Sequence, residues 1–254
     1  MSKCKEKIKP KSIFIGTFKF GRNLNVKYPS GDGYSIFNEE NAECFLKECL
    51  ALGINGIDTA PSYGVAECLV GNAIKSLNAR SSFLISTKVG ESHSNVGGLY
   101  DFTFSGMQRS LEKSLENLNC SEVDYLFLHC KSDQTIIEND VMRFIEYAKD
   151  NGLSRKIGVS VSNIKFEKSI LSMFDAAMLP YNIEYRSYEE MFNFCKENNV
   201  ETFAKKILAS GHISNQSDVY DALKFISRSE LVDTIILGTS SLTNLKSSIK
   251  TMKD

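Results

Sequence analysis

GINGIDTAPSYGVAECLVGNAIKSLN, residues 53–78, contains one short apolar run, a turn-rich loop and one amphipathic segment. NGIDT has the length of a buried strand, and AECLVGNAIKSLN carries its apolar residues at helical spacing. The same strand-then-helix unit recurs on both sides. SIFIG, FLIST, VDYLFLH, KIGVS, AAML, ETFA and DTIILG read as further strands. NEENAECFLKECLALG, GMQRSLEKSLENL, TIIENDVMRFIEYAKDNG, NIKFEKSILSMF, YEEMFNFCKENN, DVYDALKFISRS and LTNLKSSIK read as helices. Met142, Ile145 and Ala148, like Leu111, Leu115 and Leu118, keep the helical period, whereas Tyr125 to Leu128 is nearly continuous apolar sequence. Gly53 and Gly152 stand where helix C-caps belong. Eight repeats in 254 residues match the count and length of a (β/α)8 TIM barrel, a single domain over residues 1–254. A doubly wound open sheet gives the same alternation. The strand number, and the absence of a second domain's worth of sequence, favour the barrel.

Composition excludes several classes of function. The formal net charge of −1 leaves no basic face for a nucleic-acid backbone. No apolar run approaches the roughly 18 residues of a membrane span. SIFIGTF, after the basic MSKCKEKIKPK, is too short and too interrupted for a secretory signal. The seven cysteines (Cys4, Cys44, Cys49, Cys68, Cys120, Cys130 and Cys195) are odd in number and lack a C-x-x-C pair. They read as reduced thiols of a cytoplasmic protein, most of them small core residues. His93, His129 and His212 are too far apart for a metal-binding pattern, so no metal is expected.

A barrel of this kind gathers its chemistry at the C-terminal ends of its strands. NGIDT exits at Asp58, with Tyr63 five positions later; FLIST exits at Lys88, and VDYLFLH at His129. Alone, each residue has an ordinary reading as cap, packing or solvated charge. Together they bring an acid, a phenol, an amine and an imidazole to one volume, a set suited to proton transfer. A phenol of ordinary pKa, about 10, is a weak acid–base catalyst at neutral pH. A neighbouring ammonium lowers that value, a carboxylate keeps the ammonium in place, and an imidazole orients a carbonyl oxygen.

With Glu67 beyond it, GINGIDTAPSYG is joined by ISTKVG, SLENLNCSEVDYLFLHC, KIGVSVSN, MLPYNIEYRSYEEMFNFCKENNV, ILASG and IILGTSSLTNLKSSI. In this order the chain resembles an aldo-keto reductase from about Ile13 almost to its last residue. The resemblance implies a catalytic tetrad of Asp58, Tyr63, Lys88 and His129. By that resemblance a nicotinamide supplies hydride to a carbonyl carbon and Tyr63 protonates the oxygen. Lys88, paired with Asp58, lowers the Tyr63 pKa, and His129 positions the carbonyl. No Rossmann or P-loop glycine pattern follows a strand, and such barrels hold the dinucleotide across the strand exits, phosphates near helix N-termini. The cofactor positions implied are Gly16, Thr17, Asp58, Ser160, Asn163, Lys205, Leu208, Ser210, Gly211, Gly238, Thr239, Ser240 and Asn244. Ordinary N-capping is the competing reading of Ser240 and Ser241.

The pattern departs from the family in places. Met178 stands where a glutamine often contacts the carboxamide, and the asparagine after Gly158-Val159-Ser160 is displaced to Asn163. Lys205 or Lys206 replaces an aromatic or arginine. Gly238 and Asn244 occupy positions that often carry Lys and Arg for a 2′-phosphate, leaving Lys246 nearby. NADPH is the expected cofactor, with NADH as the alternative. The short sequence after LTNLKSSIK suggests an open mouth for a bulky substrate such as a carbohydrate. Phe18, Phe20, Tyr28, Tyr100 and Phe102 are the expected pocket aromatics, and segments 18–37 and 89–104 the expected lids. The partner expected is a small carbonyl compound, with no nucleic acid and no membrane; oligomeric state is not legible. Two other readings stay open: a cofactor-binding redox sensor with little turnover, and a non-redox isomerase or lyase using Tyr63 and Lys88.

Overall fold

The computed structural model describes residues 11–26, 28–29, 31, 33–94, 97–129, 135–136, 139–162 and 165–254. Its strands are β1 (Ser12–Gly16), β2 (Gly56–Asp58), β3 (Leu84–Val89), β4 (Glu91–Ser94), β5 (Gly97–Tyr100), β6 (Val123–His129), β7 (Ser154–Ser160), β8 (Ala176–Pro180), β9 (Glu201–Lys205) and β10 (Thr234–Leu237). Its α-helices are α1 (Phe18–Gly21), α2 (Glu39–Ala51), α3 (Ala66–Ser76), α4 (Phe104–Asn117), α5 (Asn139–Asp150), α6 (Glu189–Glu197), α7 (Gln216–Arg228) and α8 (Leu242–Lys253). Eight strands close a parallel ring in the order β1, β2, β3, β6, β7, β8, β9, β10. All eight strands expected from sequence are in it, and the chain forms a (β/α)8 TIM barrel.

The two-residue alternation of strands explains how the ring is filled. Phe14, Tyr125, Phe127, Ala176, Met178, Phe203 and Ile236 pack together inside it. Their rings meet edge to face, Phe14 on Phe203 at 5.4 Å and Phe127 on Phe203 at 5.2 Å. Neighbours such as Ile15, Leu126 and Leu128 face the helices and belong to the outer core. Asp58, Ser160 and Lys205 follow inward-facing positions by two residues, so they stand one layer above these aromatics. Gly56 shows how tight the lower layer is, since a Cβ there would lie 2.1 Å from the Phe14 ring. At this level the barrel interior is filled by side chains.

Local chemistry sets the helix ends. Asn38, Thr103, Asn215 and Ser241 cap α2, α4, α7 and α8, each accepting a backbone N–H three residues on; such caps contribute about 1 kcal/mol apiece. Gly53 and Gly152 follow α2 and α5 with φ of +77° and +62°, the left-handed step that ends a helix.

One expectation needs correction. NIKFEKSILSMF forms a 3-10 helix over Lys168–Met173, not an α-helix. Its backbone bonds run three residues back, Ile170 N–H to the Glu167 carbonyl and Phe174 N–H to that of Leu171, the tighter turn used in short pieces. Segment 89–104, expected as a lid, contains the antiparallel hairpin β4–β5, which pairs Glu91 with Tyr100. No helix among the described residues is long and apolar enough to cross a membrane, and none of their side chains cluster as a metal site. Cys44, Cys49, Cys68, Cys120 and Cys195 are free thiols; Cys4 and Cys130 lie outside the described residues.

Candidate active site

Asp58 ends β2 and Lys88 lies one residue before the end of β3, on adjacent strands paired Asp58 to Ser86. Both side chains are almost wholly buried. Lys88 Nζ donates to Asp58 Oδ1 at 2.6 Å and to the Thr59 carbonyl at 2.7 Å. Ser86, two residues before Lys88 and on the same face, donates its hydroxyl to the same Oδ1 at 2.8 Å. Two charges out of water require this much hydrogen bonding to be tolerated.

Tyr63 sits above the pair. It ends a 3-10 turn, Pro61–Tyr63, that leaves β2, and its ring centroid lies 4.8 Å from Lys88 Nζ. The turn is fixed by a close backbone approach. Val65 N–H donates to the Gly21 carbonyl, and a Cβ on Gly21 would lie 2.5 Å from the Tyr63 carbonyl oxygen. Phe18, in the same short helix as Gly21, packs edge to face on the Tyr63 ring at 5.2 Å. Below the turn, buried Glu67 accepts from the Thr87 hydroxyl at 2.6 Å; burial pushes its pKa up, against the Thr87 hydrogen bond.

The electrostatics of Tyr63 differ from the sequence expectation. Its phenol is pushed well above the ordinary 10, first by burial and then by the carboxylates of Asp58 and Glu91 and the Tyr28 phenol. The ammonium of Lys88, over the ring and bound to Asp58, does not offset these effects. In this state Tyr63 holds its proton.

His129 ends β6, the neighbour of β3 in the ring. Its Nδ1 lies 2.8 Å from Glu91 Oε2. Burial lowers its pKa, opposed by Glu91 and reinforced by Lys88 and Lys205. Glu91 was missed in the sequence; the only signal was its place two residues after the strand that ends at Val89. Arg22 was missed too. It donates to the Ser62 carbonyl beside Tyr63, and Lys19 lies 4.5 Å from the Tyr28 ring centroid.

The residues expected to hold a cofactor divide by their environment. Ser160 ends β7 beside His129. It accepts from Lys205 Nζ at 2.8 Å and donates to Met178 Sδ at 3.7 Å. Burial lowers the Lys205 pKa to about 7, with Lys206 and Lys88 acting in the same direction, so the surroundings work against the charge expected there. Leu208, Ser210 and Gly211 lie in a loop where Lys206, Ala209 and Ser210 adopt φ of +58°, +47° and +55°. Left-handed non-glycine residues are costly and cluster at ligand clamps. A cavity of about 270 Å³ beside this loop is lined by Ser162, Tyr185, Tyr188, Lys206 and Ser210.

At the last strand exit Gly238 faces open space, Thr239 is buried, and Ser240 precedes Ser241, the true cap of α8, which accepts from the Asn244 N–H. Gly16 has Ile236 only 3.1 Å from a would-be Cβ. Thr17 commits its hydroxyl proton to the Asp58 carbonyl at 3.1 Å, so its first role is to hold the β2 exit. Asn163 lies outside the described residues. Lys246 is bound to Glu48 at 2.7 Å. Among the expected pocket aromatics, Phe20 is fully buried against Phe37 and Phe45 and belongs to the core. Tyr100 bonds Glu91, and Phe102 packs beneath Gly90.

The family model for the aldo/keto reductase family matches residues 12–222. L-galactose dehydrogenase from Arabidopsis thaliana is 26% identical over 204 residues, 74% of this chain and 61% of that protein. D-arabinose 1-dehydrogenase from Saccharomyces cerevisiae is 26% identical over 194 residues, 69% of this chain and 55% of that one. The chain thus spans about three-fifths of the length of these curated relatives. A solved structure of a suggested aldo-keto reductase from Pseudomonas aeruginosa superposes with a TM-score of 0.82 at 29% identity, covering 96% of this chain and 90% of that one. Barrel closure, the strand-exit residues and the match across residues 12–222 together make this chain a member of the aldo/keto reductase family.

Proposed function

We propose that this chain interconverts a small aldehyde or ketone and its alcohol, with Tyr63 as the proton donor in the reducing direction. The carrying observation is the buried Lys88–Asp58 pair beneath Tyr63 at adjacent strand exits. Tyr63 holds its proton at neutral pH and delivers it to the carbonyl oxygen as negative charge develops there. Lys88 stabilises the phenolate left behind, Asp58 and Ser86 keep Lys88 in place, and His129 orients the oxygen.

A nicotinamide dinucleotide, NADPH with NADH as the alternative, supplies the hydride when bound. The donors and small residues on the rim suit it: Ser160, Lys205, the loop from Leu208 to Gly211, and Gly238 to Asn244. Met178, buried in the aromatic layer, offers no amide to a carboxamide. With Lys246 held by Glu48, discrimination for a 2′-phosphate is expected to be weak.

Phe18, Tyr28 and Tyr34, with Lys19 beside them, form a mouth of rings and charge. Such a surface suits a polyhydroxylated carbonyl compound, and the two named relatives are sugar dehydrogenases by name. The experiment is a fluorescence titration with NADPH and NADH, followed by a carbonyl panel that includes sugar aldehydes. Binding of both nucleotides, with affinities within about tenfold (~1.4 kcal/mol), and turnover of at least one aldehyde are expected. Binding without turnover would replace this reading with a redox sensor; no binding would leave a non-redox barrel enzyme.

A further inference from the structure

Arg22 is set beside Tyr63 by the close passage of two backbones. A Cβ on Gly21 would lie 2.2 Å from the Ala66 nitrogen, and one on Gly64 2.2 Å from the Gly21 carbonyl oxygen. The β1 exit and the Tyr63 turn therefore meet through a pair of glycines. Next to this contact Arg22 Nη1 donates to the Ser62 carbonyl at 3.2 Å, Nε to that of Leu24 at 3.2 Å and Nη2 to that of Asn25 at 2.9 Å. The Tyr34 hydroxyl donates to the Arg22 carbonyl. The guanidinium stands 5.3 Å from the Phe18 ring centroid, and that ring packs on Tyr63. One aromatic ring separates the cation from the phenol.

These bonds hold Arg22 without neutralising it. Its three acceptors are carbonyls, and a guanidinium has five N–H groups, so two are left over. Neither Arg22 nor Lys19 forms an ion pair among the described residues. Lys19 stands over the Tyr28 and Tyr34 rings, 4.5 and 5.7 Å from their centroids, and Tyr28 packs on Phe18 at 5.8 Å. The two carboxylates nearest the phenol are engaged elsewhere, Asp58 by Lys88 at 2.6 Å and Glu91 by the Tyr100 hydroxyl at 2.7 Å. The charge of Arg22 also reaches β4, which packs against the Tyr63 turn: burial and then Arg22 push the His93 pKa down, against Glu91. We propose that Arg22 determines specificity, selecting carbonyl compounds that carry a carboxylate or phosphate by seating that anion beside the Phe18 ring while the carbonyl lies at Tyr63. This rests on the function proposed above and narrows its substrate class. A guanidinium offers both oxyanions paired N–H donors, and the ring beside it restricts its orientation. The anion takes no part in bond making or breaking, so the contact acts on ground state and transition state alike and belongs to KM rather than kcat.

The test compares aldehydes matched in carbon skeleton, succinic semialdehyde with butanal for a carboxylate and glyceraldehyde 3-phosphate with glyceraldehyde for a phosphate. Wild type, Arg22→Gln and Arg22→Lys are assayed at saturating nucleotide. In wild type at least one anionic aldehyde should exceed its neutral partner in kcat/KM by about tenfold or more, and added salt should shrink that ratio. In Arg22→Gln the ratio falls by about tenfold, mainly through KM, and Arg22→Lys keeps part of it. Taking the ratio within each protein cancels any general loss from disturbing the Ser62 contact. A second measurement needs neither turnover nor a well-folded glutamine variant: the ¹⁵N signal of Arg22 Nε, assigned by its loss in Arg22→Lys, is titrated in wild type with succinate, with 3-phosphoglycerate and with glycerol. A saturable shift with an anion and none with glycerol is expected. Equal anion-to-neutral ratios in wild type and Arg22→Gln overturn the proposal, as does an Nε signal that no anion moves. If wild type turns over no aldehyde of either pair, the function proposed above fails, and the Nε titration alone decides whether Arg22 binds an anion.

Discussion

Tyr63→Phe is expected to lower carbonyl turnover by about two to four orders of magnitude, the usual contribution of a positioned general acid, while nucleotide affinity stays unchanged. The variant loses one oxygen and keeps the ring. The contact with Phe18 at 5.2 Å and the placement over Lys88 at 4.8 Å both belong to the ring, so the mouth keeps its shape. What disappears is the proton that burial and two carboxylates hold on the phenol. Single-turnover rates at saturating nucleotide, measured beside the nucleotide dissociation constant, separate the two effects. Wild-type rates in Tyr63→Phe would remove the phenol from the reaction.

Lys88→Met should be costly twice over. The substitution preserves length and apolar volume but leaves the Asp58 carboxylate buried, with Ser86 as its remaining side-chain donor. Breaking one side of a buried pair costs about 3–5 kcal/mol, which for a chain of this size lowers Tm by roughly 6–20 °C. Turnover falls as well, by at least about a hundredfold, because the phenolate that forms on proton donation loses its cation. The double variant Asp58→Asn/Lys88→Met distinguishes the causes. Removing the stranded charge should recover much of the lost Tm and none of the lost turnover, the coupling expected of residues in contact. Thermal melts and kcat on wild type, Asp58→Asn, Lys88→Met and the double variant check it; additive Tm losses would mean the two side chains do not stabilise each other.

These results bear on how much could be read from the chain alone. All eight barrel strands were legible, because each is a short, nearly continuous apolar run set between longer amphipathic segments. Asp58, Lys88 and His129 were legible because a barrel delivers its chemistry at strand ends, a rule that needs only the strand boundaries. The helix after β7 was misread because Phe166, Ile170, Leu171 and Phe174 keep an α-helical period, which does not distinguish a short 3-10 helix from an α-helix. The hairpin was not legible because Gly and Ser interrupt 89–104, and its strands pair with each other rather than with the barrel. Glu91 was invisible for the same reason: its partner His129 is 38 residues away in the sequence shown, and only the fold of the hairpin joins them.

Tyr63 marks where local reasoning about charge gave the wrong sign. A lysine within reach of a phenol favours ionisation, but here it lies over the ring and is matched by Asp58, while burial and Glu91 favour the neutral form. The folded chain therefore binds the Tyr63 proton more tightly than the unfolded chain. The stability linked to that proton is complete below pH 10 and is lost as pH rises through the higher folded value. For reduction this is the useful protonation state, since the donor is loaded across the neutral range.

The central claim, a proton-holding phenol set over a cation pinned by its carboxylate, is tested most directly by ¹³C NMR of ring-labelled tyrosine, with the Tyr63 signal assigned by its loss in Tyr63→Phe. In the nucleotide-free protein the Tyr63 Cζ resonance should keep its protonated shift beyond pH 10. A midpoint at or below 10 would contradict it.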